Sequence, residues 1–178
     1  MTGSAQLVTV HLLQLPVPLA GRCRQWFEEL TREFSLISAG AAGDAADGHE
    51  GHHVPRRLMA MVDALTARFA AVNDEPRERL EDAIDRGLLV LPDHVMQLPV
   101  EAAQATRALG AMLDEADRYC RQGRQLLTLA TPDDLLAYRH WYLGQIADQL
   151  EGAAPVAWPD ARAALGGDLA GDPAGDLR

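Results

Sequence analysis

Apolar positions in this chain alternate between short unbroken runs and longer stripes of helical period. Leu7 to Leu15 is a Leu-rich, β-branched run closed by Pro16 and Pro18, which predicts a strand buried on at least one face. Beyond Pro18, residues Leu19, Cys23, Trp26, Phe27, Leu30, Phe34 and Ile37 recur at steps of three and four, so a helix turns them to one core face. Pro55 opens a second helix carrying Leu58, Val62, Leu65, Phe69 and Val72. Pro76 opens a shorter third one, with Leu80 and Ile84 as its buried contacts and Gly87 as its stop. Leu88 to Leu98 reads as a second strand, with Pro92-Asp93 as a bulge or as its start. Val100 to Arg121 reads as a long helix whose early alanines keep it thin for close approach. Gln125 to Ala130 is a third strand. Thr131 as N-cap, Pro132 in the first turn and Asp133-Asp134 at the positive end of the dipole then begin the last helix.

The order strand, three helices, strand, helix, strand, helix predicts an α+β chain with α/β-like connections: a small sheet of about three strands and about five helices, packed largely on one face. Residues 1–158 are expected to form a single domain. Residues 39–54, rich in Gly, Ala and Asp without periodicity, read as a disordered loop, and 159–178 as a disordered acidic Gly/Asp tail, inert or a docking peptide. One phrase occurs twice: His11-Leu12-Leu13-Gln14-Leu15-Pro16-Val17 returns 83 residues later as His94-Val95-Met96-Gln97-Leu98-Pro99-Val100. Each copy leads from a strand into a helix, as an internal duplication of strand-Leu-Pro-Val-helix units would.

Composition sharpens what is excluded. All sixteen basic residues are arginine, so a lysine Schiff base, a pyridoxal-phosphate anchor, a P-loop and a kinase-type lysine are ruled out together. Serine stands only at positions 4, 35 and 38, none in a nucleophile-elbow pattern, which argues against serine-hydrolase chemistry. The balance leans away from an enzyme, and no cofactor is expected. The net charge of −10 argues against nucleic-acid binding, and half of that excess falls in 39–54 and 159–178. No apolar stretch reaches the length of a membrane span and no signal-peptide pattern opens the chain, so the expected location is the cytoplasm, away from membranes. In that reducing compartment Cys23 and Cys120 are expected to stay unpaired, Cys23 as a small buried apolar residue.

Few residues are candidates for chemistry. His49, His52 and His53, with Asp44, Asp47 and Glu50, have metal-compatible types, but in a Gly-rich loop and at no recognised ligand spacing, so no metal is expected there. Glu78, Glu81, Asp82 and Asp85 share a helix side with interleaved arginines and read as a solvated face. His11 and His94 open the two repeated phrases and read as structural histidines. The last helix is the most informative. At about 100° per residue, Leu135, Leu136, Tyr142, Leu143, Ile146, Ala147 and Leu150 make a buried arc with Arg139 in its middle. Trp141 and Tyr138 lie off that arc, either as a contact surface or as a second layer covered by Ala154-Pro155-Val156-Ala157-Trp158-Pro159.

The segments Leu113-Asp114-Glu115-Ala116-Asp117-Arg118-Tyr119-Cys120, Leu126-Leu127-Thr128-Leu129-Ala130-Thr131-Pro132 and Ala137-Tyr138-Arg139-His140-Trp141-Tyr142-Leu143 resemble poorly characterised actinobacterial proteins that accompany anti-sigma and STAS-type regulators. That resemblance covers mainly residues 109–150 and supplies no catalytic residues. It implies a regulatory context. The leading expectation is therefore a non-enzymatic regulatory or adaptor protein that binds another protein, such as a sigma-factor regulator or a second copy of itself, through Trp141, Tyr138 and Arg139 and a free sheet edge. The alternative is a small-molecule site or enzyme that uses Arg139, His94 or His11 on an anionic ligand.

Overall fold

The computed structural model describes residues 6–40, 53–69, 74–121 and 131–159. The fold is α+β and mostly helical, with five helices and a two-stranded antiparallel sheet among the described residues. Strand β1 (Leu7–Pro16) leads into α1 (Val17–Gly40), followed by α2 (His53–Phe69) and α3 (Asp74–Asp85). Strand β2 (Val90–Pro99) leads into α4 (Ala102–Arg121), and α5 (Asp133–Leu150) closes the order. The third strand expected at Gln125–Ala130 lies outside the described residues, as do most of the loop at 39–54 and nearly all of the tail at 159–178.

Several boundaries move. Helix α2 begins at His53, two residues before Pro55, and α1 runs on to Gly40, so both helices extend into the segment expected to be a loop. Helix α5 is capped by Pro132, whose carbonyl accepts the Leu136 N–H, which leaves Thr131 one residue outside the helix. On α3 the fully buried residues are Pro76 and Ala83, while Leu80 and Ile84 are half-buried against the same core. Gly87 does stop α3. With φ +64° it lets its own N–H bond the Ile84 carbonyl while the Leu88 N–H bonds that of Ala83, the paired ending that a left-handed residue permits.

The register runs from Leu7 opposite Pro99 to Pro16 opposite Val90. Facing residues share a side of a sheet, and Val10, Leu12, His94, Met96 and Leu98 are buried on one side. On the other, Thr9 and Gln97 are exposed and His11 and Val95 half-buried. The alternation on β1 slips at Gln14: this residue is exposed, adopts φ +56°, and stands opposite Pro92, where the pairing lapses because proline has no N–H to give. Beyond that kink Leu15 and Pro16 are both buried.

The core has two parts. One packs the buried sheet face and the start of α1 and of α4 against Tyr138, Ile146 and Leu150 of α5 and against Trp158. The other lies away from the sheet, where Trp26, Leu30 and Phe34 of α1 meet Leu58, Leu113, Ala116 and Leu135. Among the described residues no helix is long and apolar enough to cross a membrane.

Candidate functional site

Helix α5 is covered on more than its apolar arc, and its open side is confined to residues such as Asp133, Ala137 and His140. Against the reading of Tyr138 as a residue off the core, it is only 4% exposed, because the chain turns back after the helix and covers that side. The turn is made at Gly152, φ +96°, where the Gly152 N–H bonds the Gln149 carbonyl and the Ala153 N–H that of Asp148. Residues 153–158 then run back along α5 without regular structure.

This returning segment is held mainly through its backbone. The Val156 N–H donates to Gln145 Oε1 at 2.7 Å, and the Val156 carbonyl accepts from Trp141 Nε1 at 3.1 Å. Two residues on, the Trp158 N–H donates to the Leu13 carbonyl of β1 at 3.0 Å. The Trp158 ring lies edge-on to Trp141 and Tyr138, with centroids 5.4 and 5.9 Å away. Trp141 is thus half-buried under the segment, the covered alternative of the two arrangements considered for it.

The same helix closes the outer edge of β1. Gln149 accepts the His11 N–H and donates to the His11 carbonyl, both at 2.9 Å, as a neighbouring strand would. Its other amide hydrogen reaches Gln145 Oε1 at 3.4 Å, so the groove glutamine is oriented by the edge glutamine. Sequence reasoning passed over both. The available signal was two glutamines four residues apart beside the apolar arc of α5.

Arg139, 3% exposed, sits on the opposite side from solvent with its charge answered: Nη2 donates to Asp114 of α4 at 2.6 Å, and the guanidinium lies over the Trp26 ring, 5.5 Å from its centroid. His140 Nε2 lies 2.9 Å from the same carboxylate oxygen. Burial works to raise the Asp114 pKa, but the bonds from His140 and Arg139 outweigh it and hold the carboxyl below its ordinary range.

The other candidates are dispersed. His11 Nδ1 is 2.9 Å from Asp93 Oδ2 on the half-open sheet face, a carboxylate the sequence did not place there. His94 faces the core, and burial pushes its pKa down, with Arg79 acting in the same direction. Cys23 and Cys120 are free thiols, and burial raises both, Cys120 to about 11, so neither is an activated nucleophile. The acidic side of α3 is solvated, with Arg86 on Asp82 and Arg24 of α1 on Glu81. His49 and His52 lie outside the described residues, and His53 is the first residue of α2. Among the described residues no group of three or more His, Cys, Asp or Glu side chains could hold a metal ion.

What this geometry can do is recognise an extended backbone: it offers an acceptor and a donor to one residue and an acceptor to the residue two further on, beside an aromatic pocket. Comparison of the chain with protein-family models, with curated proteins and with solved structures finds no match to any of them.

Proposed function

We propose that this chain is a non-enzymatic regulatory or adaptor protein that acts through protein–protein contacts made by α5 and the adjoining edge of β1. The observation that carries this reading is that both backbone groups of Val156 are bonded by α5 side chains, Gln145 and Trp141. Side chains that read main-chain groups are the means by which a rigid element holds an extended segment of varied sequence. The regulatory setting, with a sigma-factor regulator as the partner, follows from the resemblance of residues 109–150. The anionic-ligand alternative has less support, since Arg139 already faces Asp114, His94 is in the core and His11 faces Asp93.

The test is photo-cross-linking of the full chain in its native cells, because amine-directed reagents find no lysine on it. Trp141→Ala should reduce capture of the specific partner by about tenfold, the scale of an aromatic anchor. Undiminished capture by a Trp141→Ala protein with a native helical spectrum would refute the surface.

A further inference from the structure

We propose that the groove between α5 and β1 is a docking site for an extended segment of a partner protein, and that residues 153–158 fill it as an intramolecular placeholder which the partner displaces. The inference rests on the adaptor reading and adds the occupant and the way access is controlled.

One wall of the groove is held without the segment: Gln149 is fixed at both ends of its amide by the His11 backbone and in turn reaches Gln145 Oε1 at 3.4 Å. Such preorganised groups belong to a receptor. The occupant, by contrast, leaves most of its length to solvent. Residues 151–156 are exposed, Val156 at 59%, and among the described residues of the segment Trp158 alone is fully buried. Its indole N–H is buried without a protein acceptor, an unmet donor that weakens the grip of the anchor. Gly152 supplies a pivot: α5 is complete at Leu150, so the segment beyond the pivot can leave without unwinding the helix.

The resident segment also states what the partner must offer. It is an extended stretch with free N–H and C=O groups at one residue, a free N–H two residues later, and an aromatic side chain at that second residue to stand against Tyr138 and Trp141. Proline at either hydrogen-bonded position is excluded by the missing N–H.

The experiment uses the full chain and a fluorescein-labelled peptide copying residues 152–159. A placeholder lowers apparent affinity by the fraction of molecules whose groove stands open. Trp158→Ala removes the anchor and should therefore bind the peptide about tenfold or more tightly than the wild type. Adding Gln145→Ala to that variant should abolish the gain. A folded Trp158→Ala protein that binds no better than wild type overturns the proposal. If that variant does not fold, hydrogen exchange on the wild type decides. Val156 and Trp158 amides exchanging about tenfold or more faster than those of the β1–β2 ladder support a placeholder, and exchange at the ladder rate overturns it. Sedimentation showing that the segment instead swaps between two copies would assign the groove to self-association and overturn the partner form. Trp141-dependent capture without any gain in Trp158→Ala leaves the adaptor reading standing and moves its contact out of the groove.

Discussion

Replacing Gln149 with leucine isolates the device that closes the sheet edge. The side chain is 5% exposed and makes two 2.9 Å bonds to the His11 backbone, one as acceptor and one as donor. Leucine fills similar space and suits a helix, so packing and propensity change little, and the loss is that of one N–H and one C=O left without partners. An unmet buried backbone group costs about 1–3 kcal/mol. His11 is half-buried, which places each group near the lower end of that range, so the expected loss is about 2–3 kcal/mol. Gln145→Leu is the internal comparison. It strands the Val156 N–H, in an exposed segment that water can reach, and one Gln149 amide hydrogen whose contact is already long at 3.4 Å, so the cost should be the smaller of the two, about 1–1.5 kcal/mol. Urea unfolding monitored by helical circular dichroism gives both numbers, with an unchanged slope as the sign that the same surface is exposed in each variant. A loss under about 0.5 kcal/mol for Gln149→Leu, or a loss no larger than that of Gln145→Leu, would refute the claim that this glutamine stands in for a missing strand.

Two further outcomes follow from other parts of the fold. Burial, aided by Arg79 and opposed by Asp93, lowers the His94 pKa in the folded chain, so the unfolded chain takes up the proton first once pH falls below about 6.5. Stability should therefore be full above that value and decline below it, by at most about 1.4 kcal/mol per pH unit, until pH reaches the lowered folded value. Unfolding midpoints at about pH 7.5 and 5.5 for wild type and His94→Leu check this, since the variant should lose that part of the slope. The glycines give a pair of opposite signs: a Cβ at Gly144, inside α5, meets nothing within 4 Å, and Gly144→Ala should stabilise by about 0.5–1 kcal/mol. Gly87→Ala, at φ +64°, should destabilise by about 1 kcal/mol, both read from thermal melts.

The first helix was legible because it buries Trp26, Leu30 and Phe34, and a stripe of three- and four-residue steps is visible in one dimension. Helix α5 was only half legible for the same reason. Its apolar arc is real, with Leu135, Ile146, Ala147 and Leu150 buried, but the helix is covered on a further side by a segment whose return depends on one left-handed glycine. A projection of the helix alone puts Tyr138 and Trp141 outside, since it contains no information about what lies across from them. The groove glutamines were hidden in a similar way: their partners are backbone groups of His11 and Val156, which have no sequence signature. His11 and Asp93 become neighbours only when the register is known, because Leu13 pairs with Asp93 and so brings that carboxylate diagonally beside His11.

The repeated phrase shows how far identical residues can be carried to different ends. In the observed register His11 faces Val95 and Leu12 faces His94, so the centre of the pairing falls between residue pairs. Neighbouring residues on a strand point to opposite sides, and the two histidines, equivalent in sequence, are therefore sent to opposite faces of the sheet. His94 enters the core and His11 meets Asp93 at the surface. Left alone, the same mismatch would turn Leu15 outward while Leu98 turned inward. The left-handed backbone at Gln14 removes it by shifting the alternation one step, and both leucines and both following prolines end buried. What the two copies share in three dimensions is thus the exit from the strand, an exposed glutamine followed by a buried Leu-Pro, and not the histidine that opens the phrase. A pair of histidines repeated in sequence is often a sign of a shared site. Here the register forbids one, because the two imidazoles stand on opposite sides of the sheet.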